Sequence, residues 1–223
     1  DLDLAARALF FTVADIPKVM IPLGELERRE LIPQGPLSIA DVGAGVGAMS
    51  FGLRAFIPES TSLRVDAFDH DKAALSFFAK AAKECGEREM TLNARATPVQ
   101  SLSLAKNTYD FVLMGSVLNE LDAKARRELI VKAMKSLKAD GSCIVVEPAL
   151  KNVARELHEL RDWILKEQIA GVFSPCTDVL GSCPMLKSDD DWCHEDRHTV
   201  LPKRASMLSQ RTNLRRFGLK FSY

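Results

Sequence analysis

The sequence predicts an α/β fold: a doubly wound, mostly parallel sheet with a helical cap before it and a cysteine-rich insertion after it. Three observations predict this. The run Ser38 to Phe56, SIADVGAGVGAMSFGLRAF, is an apolar lead-in, a glycine turn and then a helical pattern. Glycines in such a turn let the backbone reverse sharply and lie close to a nucleotide-like ligand. Apolar runs then alternate with amphipathic stretches, the signature of parallel strands joined by helices. Two acids, Asp69 and Glu147, fall where strands of an open sheet end.

The elements follow in order. Leu2 to Glu30 reads as helical, interrupted by Pro17 and Pro22, and makes residues 1–34 a cap. The core, residues 35–170, opens with a strand at Leu37 to Val42, and a helix follows the glycines. A second strand, Ser62 to Phe68, ends at Asp69, and Lys72 to Cys85 is the next helix. Met90 to Ala94 is a third strand. Tyr109 to Gly115 has the continuous apolar look of a strand buried on both faces. Ala123 to Leu137 is an amphipathic helix, Asp140-Gly141 a turn, Cys143 to Glu147 a fifth strand and Val153 to Ile169 a helix. Residues 171–202 lack hydrophobic periodicity, and a loop this long in a compact domain is usually functional or disordered. Residues 203–223 are a basic stretch, Lys203 to Arg216, and a strand start at Leu219 to Tyr223. This leaves the sheet one strand short of a closing hairpin.

Composition excludes several classes. With 223 residues the chain is long enough for one α/β domain and a sizeable core. Its formal net charge is zero, so total charge gives no electrostatic ground for nucleic acid binding. No apolar run reaches the roughly 18–20 residues of a membrane span, and the start has no signal-peptide pattern; neither a membrane nor DNA is expected as a partner. The chain begins at Asp1 rather than Met, the mark of a processed or partial chain. Five cysteines, three of them late, argue for thiol chemistry in a reducing compartment rather than a disulfide framework.

The candidate cofactor residues are Asp41, Gly43, Ala44, Gly45 and Gly47 of the turn, with Asp69, Thr97 and Ser116 at the ends of later strands. Asp41 would fix the loop. Asp69 lies some two dozen residues on, where a carboxylate can accept ribose hydroxyls; capping of the following helix is its alternative role. Thr97 is a candidate for the adenine side. Asn119 and Glu120, after the fourth strand, are the catalytic candidates, against a plain helix-cap reading. The third glycine comes one residue too early for a dinucleotide fingerprint. The pattern acid-x-G-x-G-x-G instead resembles the first motif of class I S-adenosylmethionine (SAM) methyltransferases, which implies a Rossmann-like fold and SAM as cofactor.

The late cysteines run Cys176-x6-Cys183-x9-Cys193-His194, with His198 four residues further. Thiolates are soft donors for zinc or an iron–sulfur cluster. The fourth ligand is left among His194, His198 and a residue beyond Tyr223, because the spacing matches no standard zinc finger. Three unrelated loop thiols are the alternative.

Ala5-Ala6-Arg7, the glycine turn, Ser116-Val117-Leu118-Asn119-Glu120-Leu121, Val146-Glu147-Pro148, and above all Ser174-Pro175-Cys176, Cys183-Pro184 and Asp191-Trp192-Cys193-His194 resemble the methyltransferase-like family of the mitochondrial small ribosomal subunit, which has bacterial members. The resemblance implies a class I methyltransferase fold, a part in small-subunit assembly or translation with ribosomal RNA (rRNA) as contact, and a four-iron (4Fe-4S) cluster. Cys176, Cys183 and Cys193 would be its ligands; the family's remaining cysteine lies in a later strand. It also implies a place in the mitochondrial matrix for a eukaryotic chain and in the cytoplasm for a bacterial one. Thr177-Asp178 departs from the Pro-His the family tends to carry. Lys203, Arg204, Arg211, Arg215 and Arg216 would be phosphate contacts, or a plain solvated surface.

Two roles suit these residues: rRNA methylation, and an assembly factor using the fold as a platform with little turnover. A third is a zinc- or cluster-stabilised methyltransferase of a small molecule or protein, with no ribosomal role. No N-P-P-Y-type tetrapeptide follows the fourth strand, and no cysteine stands as a cytosine-methylating nucleophile.

Overall fold

A computed structural model describes residues 2–85, 90–176, 181–212 and 218–223. The cap comprises α1 (Leu2–Ala6), a π-helical stretch Arg7–Thr12, α2 (Val13–Asp15), a 3-10 turn Ile16–Lys18 that takes up Pro17, and α3 (Met20–Glu27) with Pro22 in its first turn. The core runs β1 (Leu37–Val42), α4 (Ala48–Phe56), β2 (Leu63–Asp69), α5 (Lys72–Glu84), β3 (Met90–Ala96), β4 (Tyr109–Gly115), α6 (Ala123–Ser136), β5 (Leu137–Pro148) and α7 (Lys151–Lys166). Then come β6 (Glu195–His198), α8 (Lys203–Thr212) and β7 (Gly218–Ser222).

These strands form one sheet in the order β3-β2-β1-β4-β5-β7-β6, parallel through β5 and antiparallel at β7 and β6. Alternating side chains feed two cores, one on each face. Ile39, Val65, Phe111 and Leu113 pack with Val19 just before α3, Leu23 of α3, Leu53 of α4 and Phe78 of α5. Ala40, Val42, Phe68, Val112 and Met114 pack with Leu129, Ile130 and Ala133 of α6 and Leu160 of α7. Strands buried on both faces need apolar residues at every position, and β4 has them from Tyr109 to Met114, except the buried Asp110.

Several expectations are corrected. Asp140-Gly141 makes no turn: it lies inside β5, where Tyr109 pairs with Leu137 and Phe111 with Ser142, so the extra residues form a bulge. The seventh strand is present. It is β6, hidden in the stretch read as a loop, and it pairs along β7 from Glu195↔Phe221 to His198↔Gly218. Its four residues, Glu-Asp-Arg-His, carry no apolar alternation because an exposed edge strand covers no core. The basic stretch is helical as α8, whose Ala205 and Ser209 face inward and whose Lys203, Arg204 and Arg211 are exposed. Arg215, Arg216 and Thr177-Asp178 lie outside the described residues. Among the described residues no helix is long and apolar enough to cross a membrane.

Candidate functional site

The carboxyl ends of β1 to β5 bring most of the candidate residues to one edge. The turn after β1 is pinned from β2: the N–H groups of Gly43 and Ala44 both donate to the Phe68 carbonyl, at 2.8 and 3.0 Å. The Asp69 carboxylate holds its centre. Its Oδ2 accepts the Gly45 N–H at 2.8 Å and its Oδ1 accepts the Asp71 N–H at 2.8 Å. Thr97, at the end of β3, donates its N–H to the Asp69 carbonyl at 2.7 Å.

The three glycines do different work. All have positive φ, which side-chain-bearing residues rarely adopt. A Cβ at Gly43 would run into Val117, and one at Gly47 into the Phe78 ring, so these two serve packing. A Cβ at Gly45 would meet nothing within 4 Å, so its face is open. The close approach at Gly43 also sets the glycine turn against the segment after β4.

Asp41 is fully buried beneath the turn. Its Oδ2 accepts both the N–H and the hydroxyl of Ser50, which ties the turn to α4, while its Oδ1 is buried without a hydrogen-bond partner. Burial outweighs the Ser50 bonds and pushes its carboxyl up to about 6.

Ser116, with φ of 56°, starts the segment after β4. Glu147 at the end of β5 anchors this segment. Its Oε1 accepts the N–H groups of Val117 and Leu118, at 3.0 and 2.8 Å. The Asn119 amide, in its hydrogen-bonding orientation, donates to Glu147 Oε2 at 3.0 Å and to the Ser116 carbonyl at 3.1 Å. Burial pushes the Glu147 carboxyl up to about 7, against the lowering by these N–H groups. Arg126 donates to the Leu118 carbonyl and to Glu156, at 2.8 and 2.7 Å. The Asn119 side chain therefore holds the segment in place, and Glu120 is left exposed at its end.

The three late cysteines lie elsewhere. Cys176, Cys183 and Cys193 line a cavity of about 480 Å³ together with His158, Arg161 and His194. His194 stacks on Trp192 at 5.7 Å; His198 sits exposed on β6 and does not line the cavity. Burial first, then the neighbouring Cys183 and Cys176, push the Cys193 thiol up. The donor chemistry suits a thiophilic metal. The spacing does not: among the described residues no three His, Cys, Asp or Glu groups stand close enough to hold one ion. The expected metal-binding insertion is thus a gathered but open set of thiols.

Polar and charged side chains of α7 gather them, and motif reading missed these. Asp162 accepts the Cys183 N–H at 3.0 Å, Arg161 donates to the Gly181 carbonyl at 2.7 Å and approaches Cys176 Sγ at 3.6 Å, and His158 Nε2 accepts the Cys193 N–H at 3.0 Å. Arg155 donates to the carbonyls of Met185, Ser188 and Asp191. Their spacing along α7 places them on neighbouring turns, a signal indistinguishable in sequence from a solvated face.

A family model described as the mitochondrial small ribosomal subunit Rsm22 matches residues 19–223. Among curated proteins no relative matches. Solved structures similar to the chain include phosphoethanolamine N-methyltransferase 1 of Haemonchus contortus in complex with phosphoethanolamine and S-adenosylhomocysteine. It has TM-score 0.45 and 17% identity, over 65% of this chain and 27% of that one. The PH0226 protein of Pyrococcus horikoshii has TM-score 0.47 and 18% identity, over 74% and 69%. A SAM-dependent methyltransferase of Methanosarcina mazei has TM-score 0.46 and 20% identity, over 68% and 72%. The chain thus spans about a quarter of the first structure's length. All three scores are below 0.5, and the fold assignment rests on the strand order itself.

Proposed function

Because the chain belongs to the Rsm22 family of the mitochondrial small ribosomal subunit, we propose that it binds SAM through a methyltransferase fold, acts in small-subunit assembly in contact with rRNA, and, where it turns over, methylates rRNA. The family supports a place in the matrix for a eukaryotic chain and in the cytoplasm for a bacterial one. One observation carries the cofactor assignment: the Gly45 N–H is fixed on Asp69 while the face of Gly45 stays open and an Asp41 oxygen stays buried without a partner. An open backbone cradle, a ribose-accepting carboxylate and an unanswered negative group suit a ligand with ribose hydroxyls and positive charge. Asp69 would take the ribose, Asp41 the aminoacyl end, Gly45 the backbone approach with Gly43, Ala44 and Gly47 shaping the turn around it, with Thr97 on the adenine side and Ser116 across the cleft.

Bound SAM supplies an electrophilic methyl carbon. The chain's own task is then to orient an acceptor for in-line displacement. Asn119 and Glu120 stand nearest that task, Asn119 by shaping the segment after β4 and Glu120 by its exposed carboxylate. Calorimetry of SAM binding tests the reading. Asp69→Asn should weaken affinity by about 1–3 kcal/mol, the range for hydrogen bonds to a charged group. Equal affinity in parent and variant would sink it.

The thiols are proposed to take a metal centre, a 4Fe-4S cluster or zinc, with Cys176, Cys183 and Cys193 as ligands. Three soft donors on one cavity support this. Protein purified without oxygen should carry metal and shield all three thiols from alkylation. Metal-free protein with three rapidly alkylated thiols would refute it.

The outward cations of α8 are the proposed rRNA contacts. Replacing Lys203, Arg204 and Arg211 together by alanine should reduce the salt dependence of binding to immature small subunits by up to about three phosphate equivalents. An unchanged slope would move the interface elsewhere.

A further inference from the structure

Ala5-Ala6-Arg7 stood out in the sequence without a task, and the structure places Arg7 at the cofactor edge. Arg7 opens the π-helical stretch, a geometry that often accompanies functional sites. Its Nη2 donates to Asp71 Oδ2 at 2.6 Å, and its Nε lies 3.1 Å from Asp3 one turn earlier. Asp71 is already engaged on its other side. Its Oδ1 accepts the N–H groups of Ala73 and Ala74 and caps α5, and its own N–H donates to Asp69 Oδ1. Asp69 in turn holds the Gly45 N–H. A continuous line of hydrogen bonds therefore runs from Arg7, through Asp71 and Asp69, to the open face of the glycine turn. The ionisation states agree with this geometry: the bond to Asp71 raises the Arg7 guanidinium, and the same bond lowers Asp71.

The cap has two parts. Val19, Leu23 and Leu26 belong to the core that α3 shares with the sheet. The outer part, Leu2–Thr12, buries Ala8, Phe10 and Thr12 but leaves Leu2, Leu9 and Phe11 exposed. It is the part that Arg7 ties across the end of β2.

We propose that Leu2–Thr12 is a strap across the cofactor cleft, with Arg7 as its latch on Asp71, so that SAM exchanges when this ion pair opens. The inference rests on the SAM reading above. The pair is partly exposed, with side chains 36% and 24% accessible, which limits its strength to about a fivefold factor in an opening equilibrium.

Surface plasmon resonance with S-adenosylhomocysteine on the full chain tests the latch. Arg7→Gln should raise the association and dissociation rates together by about fivefold, with Kd nearly constant. Arg7→Lys should restore most of the parent rates. Asp71→Asn keeps the cap on α5, loses the charge, and should reproduce the Arg7→Gln rates; the double variant should add nothing further. Unchanged rates in Arg7→Gln and Asp71→Asn would overturn the latch. A faster dissociation alone, with Kd weakened in proportion, would also overturn it, since Arg7 would then be a direct ligand contact. A parent chain that does not bind the ligand would overturn the SAM reading and the latch with it.

Discussion

Gly47→Val is expected to remove much of the domain's stability, whereas Gly45→Val is expected to remove the cofactor at a smaller cost in stability. Gly47 sits at φ 93° at the start of α4, and a Cβ there would run into the ring of the fully buried Phe78. A left-handed conformation costs a branched residue about 1–2 kcal/mol, and overpacking a dense core about 1–3 kcal/mol more. Together these take up a large part of the roughly 5–15 kcal/mol that holds a domain folded. At Gly45 the conformational strain remains, but no atom lies in the way. Its new side chain would fill the space proposed for SAM. Thermal melts and calorimetry on the two variants read the difference, and a Gly45→Val chain that binds SAM at parent affinity would refute the division.

Glu147→Ala is expected to destabilise the protein strongly and Glu147→Gln much less. Alanine would leave the buried N–H groups of Val117 and Leu118 without their acceptor, at about 1–3 kcal/mol each, and would take from the exposed Asn119 amide one of its two acceptors. Glutamine keeps an acceptor oxygen in the same place. The pH dependence separates charge from hydrogen bonding. Burial raises the Glu147 carboxyl from 4.5 to about 7 in the fold, so the fold prefers its protonated form. Its contribution to stability is greatest below pH 4.5, declines as pH rises towards 7, and is constant above. Asp41, raised from 3.8 to about 6, acts in the same direction. Relative to the parent, Glu147→Gln should therefore gain stability between pH 4.5 and 7. A difference that stays flat across that window would show that Glu147 titrates normally.

The parts of the fold visible in the sequence were those in which one residue pattern answers to one constraint. The glycine turn was legible because positive φ and close approach demand glycine. β1 and β4 were legible because burial on both faces demands near-continuous apolar runs. Asp140-Gly141 misled because a turn dipeptide serves equally as a bulge within a strand, and the choice depends on register with β4. β6 was invisible because its residues are charged and balanced by neighbours such as the Lys220–Asp196 pair at 3.0 Å. At the site, the sequence placed Asp69 beside the glycines but not its bond to Gly45, and marked Asn119 without its engagement by Glu147. The hold of α7 on the cysteines was also hidden, since hydrogen bonds from side chains to the backbone of a distant segment leave no periodic trace.

β7 meets β5 at only two positions, Glu147↔Ser222 and Pro148↔Phe221. The same Ser222 donates its hydroxyl to the Cys193 carbonyl at 2.9 Å, and the Glu147 side chain carries the segment after β4. The thiol cavity and the acceptor edge thus share one joint, of which Glu147 is the common member. A ligand at the thiols that displaced Ser222 would act on the residue that shapes the opposite edge, and reciprocity would require the effect to run equally in reverse: whatever factor the proposed metal applied to affinity for the proposed cofactor, the cofactor would apply to affinity for the metal.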